Sequence, residues 1–333
     1  MKIIKKNKVL LSLILIPYIY LLIICTVRTD TRGLLTGDIT PVDSLIELEN
    51  SYEEKGSFNT VYVISYDFCT IFQNRLLETS EINTSTSVSQ AYDYMTTQEV
   101  NLMSKLQHQS SVQAAIITAY KAAMQIEDNV KLDYKLSGAY ISYYSNKVTD
   151  LKIGDKIVGV NGIYAKDDSE AFRTAFNEKK FGDIFNISRN GTLIEVTYSE
   201  NHYGQYSIYA DYDIDYDNAI PKITVNKTNT GGPSGGLLQT LEVFNRLVST
   251  DYSLGKTIAG TGTINMDGTV GGIGAVEQKI HTAYKRGVDI FFCPEVNYED
   301  ALKAYNTLPN KERMALVKVN TFSDAIEYLQ NEM

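Results

Sequence analysis

The stretch TGGPSGGLLQTLEVF, Thr230 to Phe244, sets four glycines and a proline around one serine, Ser234, and runs directly into a strongly apolar helical pattern. A tight turn needs only one glycine. Several at a helix entrance leave room for another group to lie against the backbone, either a phosphate or the main chain of a substrate brought to the serine hydroxyl. The helix start also supplies unpaired N–H groups and the positive end of the dipole, so negative charge is favoured there. The plainer reading is a capping serine whose Oγ accepts from an N–H two or three residues on. A partner for Ser234 decides between these readings.

Around this stretch strands and helices alternate, which implies an α/β unit. PKITVNKT (221–228) reads as a strand, and the helix is expected from Gly235 to Val248 with Leu237, Leu238, Leu241 and Leu247 inward. KTIAGTGTINMDGTVGGIGA (256–275) reads as a strand pair around the Asp267-Gly268 turn, and VEQKIHTAYKRG as a helix stopped by Gly287. DIFFCP reads as a buried strand stopped by Pro294, with a helix and a short strand after it.

In the VEQK helix the apolar stripe is Val276, Ile280 and Ala283, and Lys279 falls inside it. Such a lysine usually snorkels to water. A buried one loses solvation, and a fall of about 3 units from ~10.4 leaves a neutral amine able to take a serine proton near pH 7. The three histidines, His108, His202 and His281, lie in no recognisable triad motif, so a base other than lysine stays open, His202 among them. No G-x-x-x-x-G-K-[ST] occurs, and GGIGAVE puts Glu277 where G-x-G-x-x-G needs its last glycine. Neither a nucleotide, nor another cofactor, nor a metal is expected.

The N-terminus reads MKIIKKNK and then about 19 uncharged residues from Val9 to Val27. At about 1.5 Å per residue that run nearly crosses a ~30 Å hydrocarbon core. Lys2, Lys5, Lys6 and Lys8 precede it, and no A-x-A cleavage site follows. The positive-inside rule keeps residues 1–8 in the cytoplasm as a basic tail, makes 9–27 a transmembrane signal anchor, and exports the rest. A cleaved signal or a buried core helix are the alternatives. Those four lysines are the only charges in the first 27 positions, so the remainder carries 27 positive and 40 negative residues, a net −13. That balance argues against a nucleic-acid partner. Cys25 lies in the apolar run, and Cys69 and Cys293 are either bridged or two buried free thiols.

Residues 30 to 57 read as loop-rich, FNTVYVISYDF (58–68) as a strand, and the polar tract TSEINTSTSVS (79–89) as loop. A long helix is expected from Thr97 to Gln125, with Leu102, Leu106, Val112, Ile116 and Tyr120 at three- and four-residue steps. A compact strand-rich unit follows over 130–200, with hairpin signals at Asn161-Gly162 and Asn190-Gly191, and YSIYADYDIDYDNAI (206–220) reads as a connector.

That unit resembles a PDZ domain, above all in DLKIGDKIVGVNG (150–162), where such domains often read L-x-x-G-D-x-I-x-x-V-N-G. The usual carboxylate loop is missing; LSGAYI (136–141) is the best candidate, giving Leu136, Gly138 and Tyr140 as a peptide groove. The region from about Ile220 to Gln330 resembles the proteolytic domain of Lon-type serine peptidases, through GPSGG (232–236), GTGTI (260–264) and IGAVEQK (273–279) in order. The resemblance implies Ser234 as nucleophile, Lys279 as general base, Thr261 as the residue holding the lysine, and Gly232, Pro233 and Gly235 as the oxyanion and substrate-backbone positions. Gly235 stands where the family usually has alanine, which is expected to loosen the turn.

With the N-terminal anchor, and with EEKGSF (53–58) and the Gln-Ser-Ser helix segment, the whole chain resembles the membrane-anchored PDZ–Lon-like proteases of Gram-positive bacteria. The implied fold is an α/β (α+β) Lon-type protease domain with an inserted small β-rich PDZ-like domain, preceded by one transmembrane helix. Residues 35–128 would form the N-terminal part of the protease domain and 205–330 the catalytic region. The implied function is an ATP-independent cell-surface serine endopeptidase, cutting exported signalling peptides or membrane-protein segments, with the PDZ-like unit presenting substrate or gating access. Lon-type domains often assemble into rings, so a homo-oligomer is among the implied partners. The alternative is a non-catalytic surface adaptor that binds extended peptides.

Overall fold

The computed structural model describes residues 8–80, 82–87, 95–228 and 230–332, with side chains from Ser12 onward. Except for Lys8, the basic tail lies outside the described residues. In chain order the elements are α1 (Lys8–Thr26), β1 (Thr31–Pro41), β2 (Ile46–Leu48), β3 (Ser57–Tyr66), α2 (Ile71–Glu78), β4 (Thr84–Ser87) and α3 (Thr97–Ala123). Next come β5 (Tyr134–Tyr144), β6 (Lys156–Val160), β7 (Ile163–Tyr164), α4 (Ser169–Asn177), β8 (Ile184–Arg189), β9 (Thr192–Thr197) and β10 (Tyr206–Ile214). The chain closes with β11 (Ile223–Val225), α5 (Gly236–Leu247), β12 (Thr257–Gly260), β13 (Thr263–Ile264), β14 (Val270–Gly271), α6 (Val276–Lys285), β15 (Ile290–Pro294), α7 (Glu295–Asn306), β16 (Ala315–Val319) and α8 (Phe322–Asn331).

The main sheet has the order β16-β15-β12-β3-β1-β4, with the first four strands parallel and β1 antiparallel to both of its neighbours, β3 and β4. β3 lies beside β12 with Ser57 opposite Thr257, and β2 pairs with β11. The sheet is therefore assembled from segments on both sides of the strand-rich unit. Over its parallel strands both faces are covered, as parallel sheets require, while the end of β3 from Tyr62 to Tyr66 is largely exposed. In DIFFCP the side chains alternate: Ile290 and Phe292 join the core with α5 residues Leu237 and Leu241, while Phe291 and Cys293 join α6 residues Val276 and Ile280. Helix α5 is buried on every side between the sheet, α3 and α8, which explains its nearly continuous apolar run.

The strand-rich unit is a second, antiparallel sheet, β10-β5-β6-β8-β9, with β7 beside β6 and α4 packed on β5, β6 and β7. Its core holds Ile141, Ile157, Phe172, Phe185 and Ile187. Asn161-Gly162 and Asn190-Gly191 turn with positive φ at both residues, which closes two hairpins. The segment read as a connector supplies β10, paired along nearly all of β5, so the unit extends to Ile214 rather than ending near residue 200.

Other expectations change too. Residues 31–41, read as loop, form β1, whose pairing with β3 supplies the order that TRGLLTGDITP lacks in its own alternation. Thr84–Ser87, read as loop, forms an edge strand on β1. Thr257–Gly260 is a parallel strand of the main sheet, and the hairpin across Asp267-Gly268 is only the short pair β13–β14. Leu136, Gly138 and Tyr140 make no open groove: β5 is an inner strand, bonded to β10 and, at Ala139 and Tyr140, to β6, and Leu136 is in the core. An added strand needs a free edge. Cys69 and Cys293 are separate buried thiols.

Helix α1 keeps Leu13, Ile14, Ile16, Tyr18, Ile19 and Leu22 at least half exposed. Among the described residues no helix is long and apolar enough to cross a membrane.

Candidate active site

Ser234 sits in the turn before α5, at the mouth of a cleft of about 150 Å³ lined by Pro41, Thr60, Tyr62, His108, Lys227 and Gly232, among others. Two of the four glycines answer to different demands. Gly232 has a φ of 81°, a left-handed conformation that other residues adopt at a cost. At Gly236 a Cβ would stand 2.8 Å from both Ile264 Cγ2 and Ser111 Oγ, so the start of α5 is pressed against its neighbours. Gly235, expected to leave a loose turn, does not. Thr60 Cγ2 lies 2.9 Å from where a methyl would stand, so β3 fills the space.

Helix α6 carries Lys279 against the sheet face that bears Phe291 and Cys293, where it is only 3 % exposed. Its Nζ donates to Ser234 Oγ at 2.8 Å and to Thr261 Oγ1 at 2.8 Å. Thr261 Oγ1 in turn donates to the Ser234 carbonyl at 3.1 Å. With its proton committed there, Thr261 can only accept from the amine, so a neutral Lys279 keeps its lone pair for the serine hydroxyl. Burial lowers the Lys279 pKa to about 8. Cys293 beside it gives no countercharge, because burial pushes its thiol up to about 12.

The backbone donors are not the ones a helix start suggests. Gly236 N–H is taken by Pro233 O at 3.3 Å and Leu237 N–H by Gly262 O at 3.1 Å. Among the described residues, the N–H groups of Ser234 and Gly235 have no recorded acceptor, and they border the cleft. Pro233 has no N–H to give, and its carbonyl accepts from Ser111 Oγ at 3.0 Å. Its place is to fix the turn. The glycine turn is also held by α3, which sequence reading did not connect to the site: Gly232 N–H donates to Ser104 O at 2.9 Å, and His108 Nδ1–H donates to Gly232 O at 3.3 Å. No motif links positions over a hundred residues apart, so no sequence signal announced those contacts.

The structure thus brings Ser234, Thr261, Lys279, Gly232, Pro233 and Gly235 together and leaves Leu136, Gly138 and Tyr140 in the second sheet. The histidines divide differently. His108 reaches the glycine turn but makes no recorded bond to Ser234. His202 forms a Ser–His–Asp contact, with Ser199 Oγ at 2.9 Å and Asp150 Oδ1 at 2.8 Å. Its Nδ1, however, already accepts from the Ser199 backbone N–H at 3.0 Å, and the ring is 2 % exposed, so the arrangement caps a turn. His281 points into a separate surface cavity beside Tyr284 and Lys303.

Comparison with known proteins agrees with this geometry. Residues 154–331, just over half of the chain, match the profile of the Lon protease (S16) C-terminal proteolytic domain. The chain belongs to this Lon family. Among curated Lon family members, the Lon protease of Campylobacter jejuni is 32 % identical over 130 residues, covering 38 % of this chain and 14 % of that protein. The Lon protease of Rickettsia prowazekii is 29 % identical over 161 residues, 46 % of this chain and 19 % of its own length. The chain therefore spans less than a fifth of the length of these Lon proteases. The match covers Ser234, Thr261 and Lys279, and it begins inside the strand-rich unit.

Proposed function

We propose that the protein is an ATP-independent serine endopeptidase that works through a Ser234–Lys279 dyad, anchored by α1 at the cell surface with its catalytic body outside. The observation that carries this reading is a single one: a buried lysine, with its pKa lowered to about 8, lies 2.8 Å from a serine at a helix start. Neutral Lys279 takes the Ser234 proton as Oγ bonds to the scissile carbonyl carbon. The oxyanion meets the Ser234 and Gly235 N–H groups, a contribution of about 3–4 kcal/mol for an essential donor. The lysinium then protonates the leaving amine, which departs and leaves an acyl ester on Ser234. Water gives a proton to Lys279 as it attacks the ester, and that proton returns to Ser234 Oγ when the acid leaves.

Membrane anchoring is supported by the exposed apolar side chains of α1, described from Ser12, and by the apolar residues from Val9 and the lysines that the sequence sets before them. The 333 residues carry no nucleotide motif with which to power unfolding, and this favours exported peptides and exposed segments of membrane proteins as substrates. The strand-rich unit keeps its PDZ-like reading on DLKIGDKIVGVNG, as a module that steers substrate or gates the cleft without the groove first assigned to β5.

The test incubates the full chain in detergent with a diverse peptide mixture and maps cuts by mass spectrometry. Cuts present in the wild type and lost in both Ser234→Ala and Lys279→Ala are expected. Cuts that survive Lys279→Ala would assign another base. Peptide capture without cuts would favour an adaptor.

A further inference from the structure

We propose that α2 and the turn before it form a second membrane contact, which lays the protease body on the lipid surface beside the end of α1. This rests on reading α1 as the anchor. The two helices lie side by side: Tyr20 and Ile24 of α1 line one surface cleft with Ile71, Phe72 and Arg75 of α2. Tyr20 and Ile24 precede the end of α1 at Thr26, so at about 1.5 Å per residue they sit roughly 9 and 3 Å inside it. Helix α2 is thus level with the last turns of the anchor, where headgroups meet acyl chains.

No slack separates the two. Ile71 N–H donates to Val27 O at 3.2 Å, Thr29 N–H to Cys69 O at 2.9 Å, and Asn74 Nδ2 to Thr29 Oγ1 at 2.7 Å. Arg28 and Thr70 form a β-bridge. The inner side of α2 presents Leu77 to β1 at Gly33, while Phe72 and Leu76, one turn apart, stay 41 % and 54 % exposed. Phe68 is 46 % exposed although its φ of 57° is a conformation that aromatic residues seldom adopt. Of the charges nearby, Arg32 pairs with Asp67 and Arg75 with Glu78, while Arg28 and Asp30 are exposed and opposite in sign, so the sum is zero. The patch is therefore apolar and neutral, matched to the interfacial layer of a bilayer, and it needs no anionic lipid.

A consequence concerns substrates. Strand β3 runs from Tyr66, beside this patch, back to Thr60, whose methyl faces Gly235. Six residues at about 3.3 Å each put Thr60, and the serine turn packed beside it, roughly 20 Å along the strand from the patch. That distance suits segments emerging from the bilayer or peptides adsorbed on it.

The chain contains no tryptophan, so single tryptophans report without background. Full-length Phe72→Trp and Leu76→Trp proteins would be reconstituted in phosphatidylcholine vesicles with and without brominated acyl chains. Leu21→Trp in α1 and Tyr52→Trp, before the opposite end of β3, serve as references. Expected is blue-shifted emission lost to bromine at positions 72, 76 and 21, and no change at position 52. Quenching at position 21 alone overturns the second contact while the anchor stands. A blue shift at 72 and 76 without bromine quenching assigns the patch to a protein partner and likewise overturns it. Absence of quenching at every position, with the chain outside the vesicle fraction, removes the anchor and this inference together.

Discussion

At the scale of the residue, Lys279 sets the pH behaviour. The amine is active when neutral, and its pKa of about 8 lies below the ordinary 10.5, so peptide cleavage should climb as pH rises through about 8 and then level off. A rate that peaks in acid would contradict the dyad. The same burial has a cost in stability. Between pH 8 and pH 10.5 the unfolded lysine holds a proton that the folded one has lost, so stability rises with pH across that window. Below it the full penalty applies, on the order of 3 kcal/mol. Lys279→Met is therefore expected to abolish hydrolysis yet raise the thermal midpoint at pH 7, with the gain shrinking toward pH 10. A midpoint that drops at pH 7 would mean that the two lost hydrogen bonds outweigh desolvation.

At the scale of the element, α5 carries the serine turn at its start and a second titrating group two turns on. Glu242 is buried, and its pKa is raised to about 9 by burial and by Glu54. Neither Glu242 oxygen has a hydrogen-bond partner when both carboxyls are ionised, because two carboxylates have no hydrogen between them; one kept proton supplies the bond to Glu54. The folded protein thus holds a proton that the unfolded chain releases above pH 4.5, and stability falls from there to about pH 9. Glu242→Gln removes that slope. Calorimetry should find a clear gain at pH 8 and almost none at pH 4.5. Equal effects at both pH values would show that the pair is not proton-linked. The element itself was plain in the sequence, since Leu237, Leu238 and Leu241 announce its inner face. So was α6, where one lysine inside an apolar stripe stood out. β1, β4 and β10 were not legible, because Gly33, Gly37 and the Tyr/Asp alternation of residues 206–214 suggest turn or connector until a neighbouring strand supplies the hydrogen bonds.

At the scale of the whole molecule, α3 is what joins the strand-rich unit to the site, and that link could not be read from local pattern. One face of α3 holds the glycine turn through Ser104, His108 and Ser111. Another reaches β10: Gln109 and Gln113 donate to Asp211 Oδ1 at 3.0 and 3.1 Å. Asp211 also takes a bond from Ser137 at 2.9 Å and an ion pair with Lys156 at 2.6 Å, both in the second sheet. A buried carboxylate with four such partners fixes the register of α3 against that sheet, and through α3 the height of the serine turn. Asp211→Asn keeps the shape, loses the charge and leaves Lys156 partly buried without its counterion, a change that costs about 3–5 kcal/mol when a pair is fully buried and less here. The expected result is a lower thermal midpoint together with a kcat that falls well below that midpoint while KM changes little, because the lost constraint acts on the serine turn rather than on the cleft walls. The pH at which activity rises should stay near 8, since Asp211 makes no contact with Lys279. A lowered midpoint with unchanged kcat at permissive temperature would show that Asp211 only stabilises the fold, and would leave the strand-rich unit uncoupled from the serine turn.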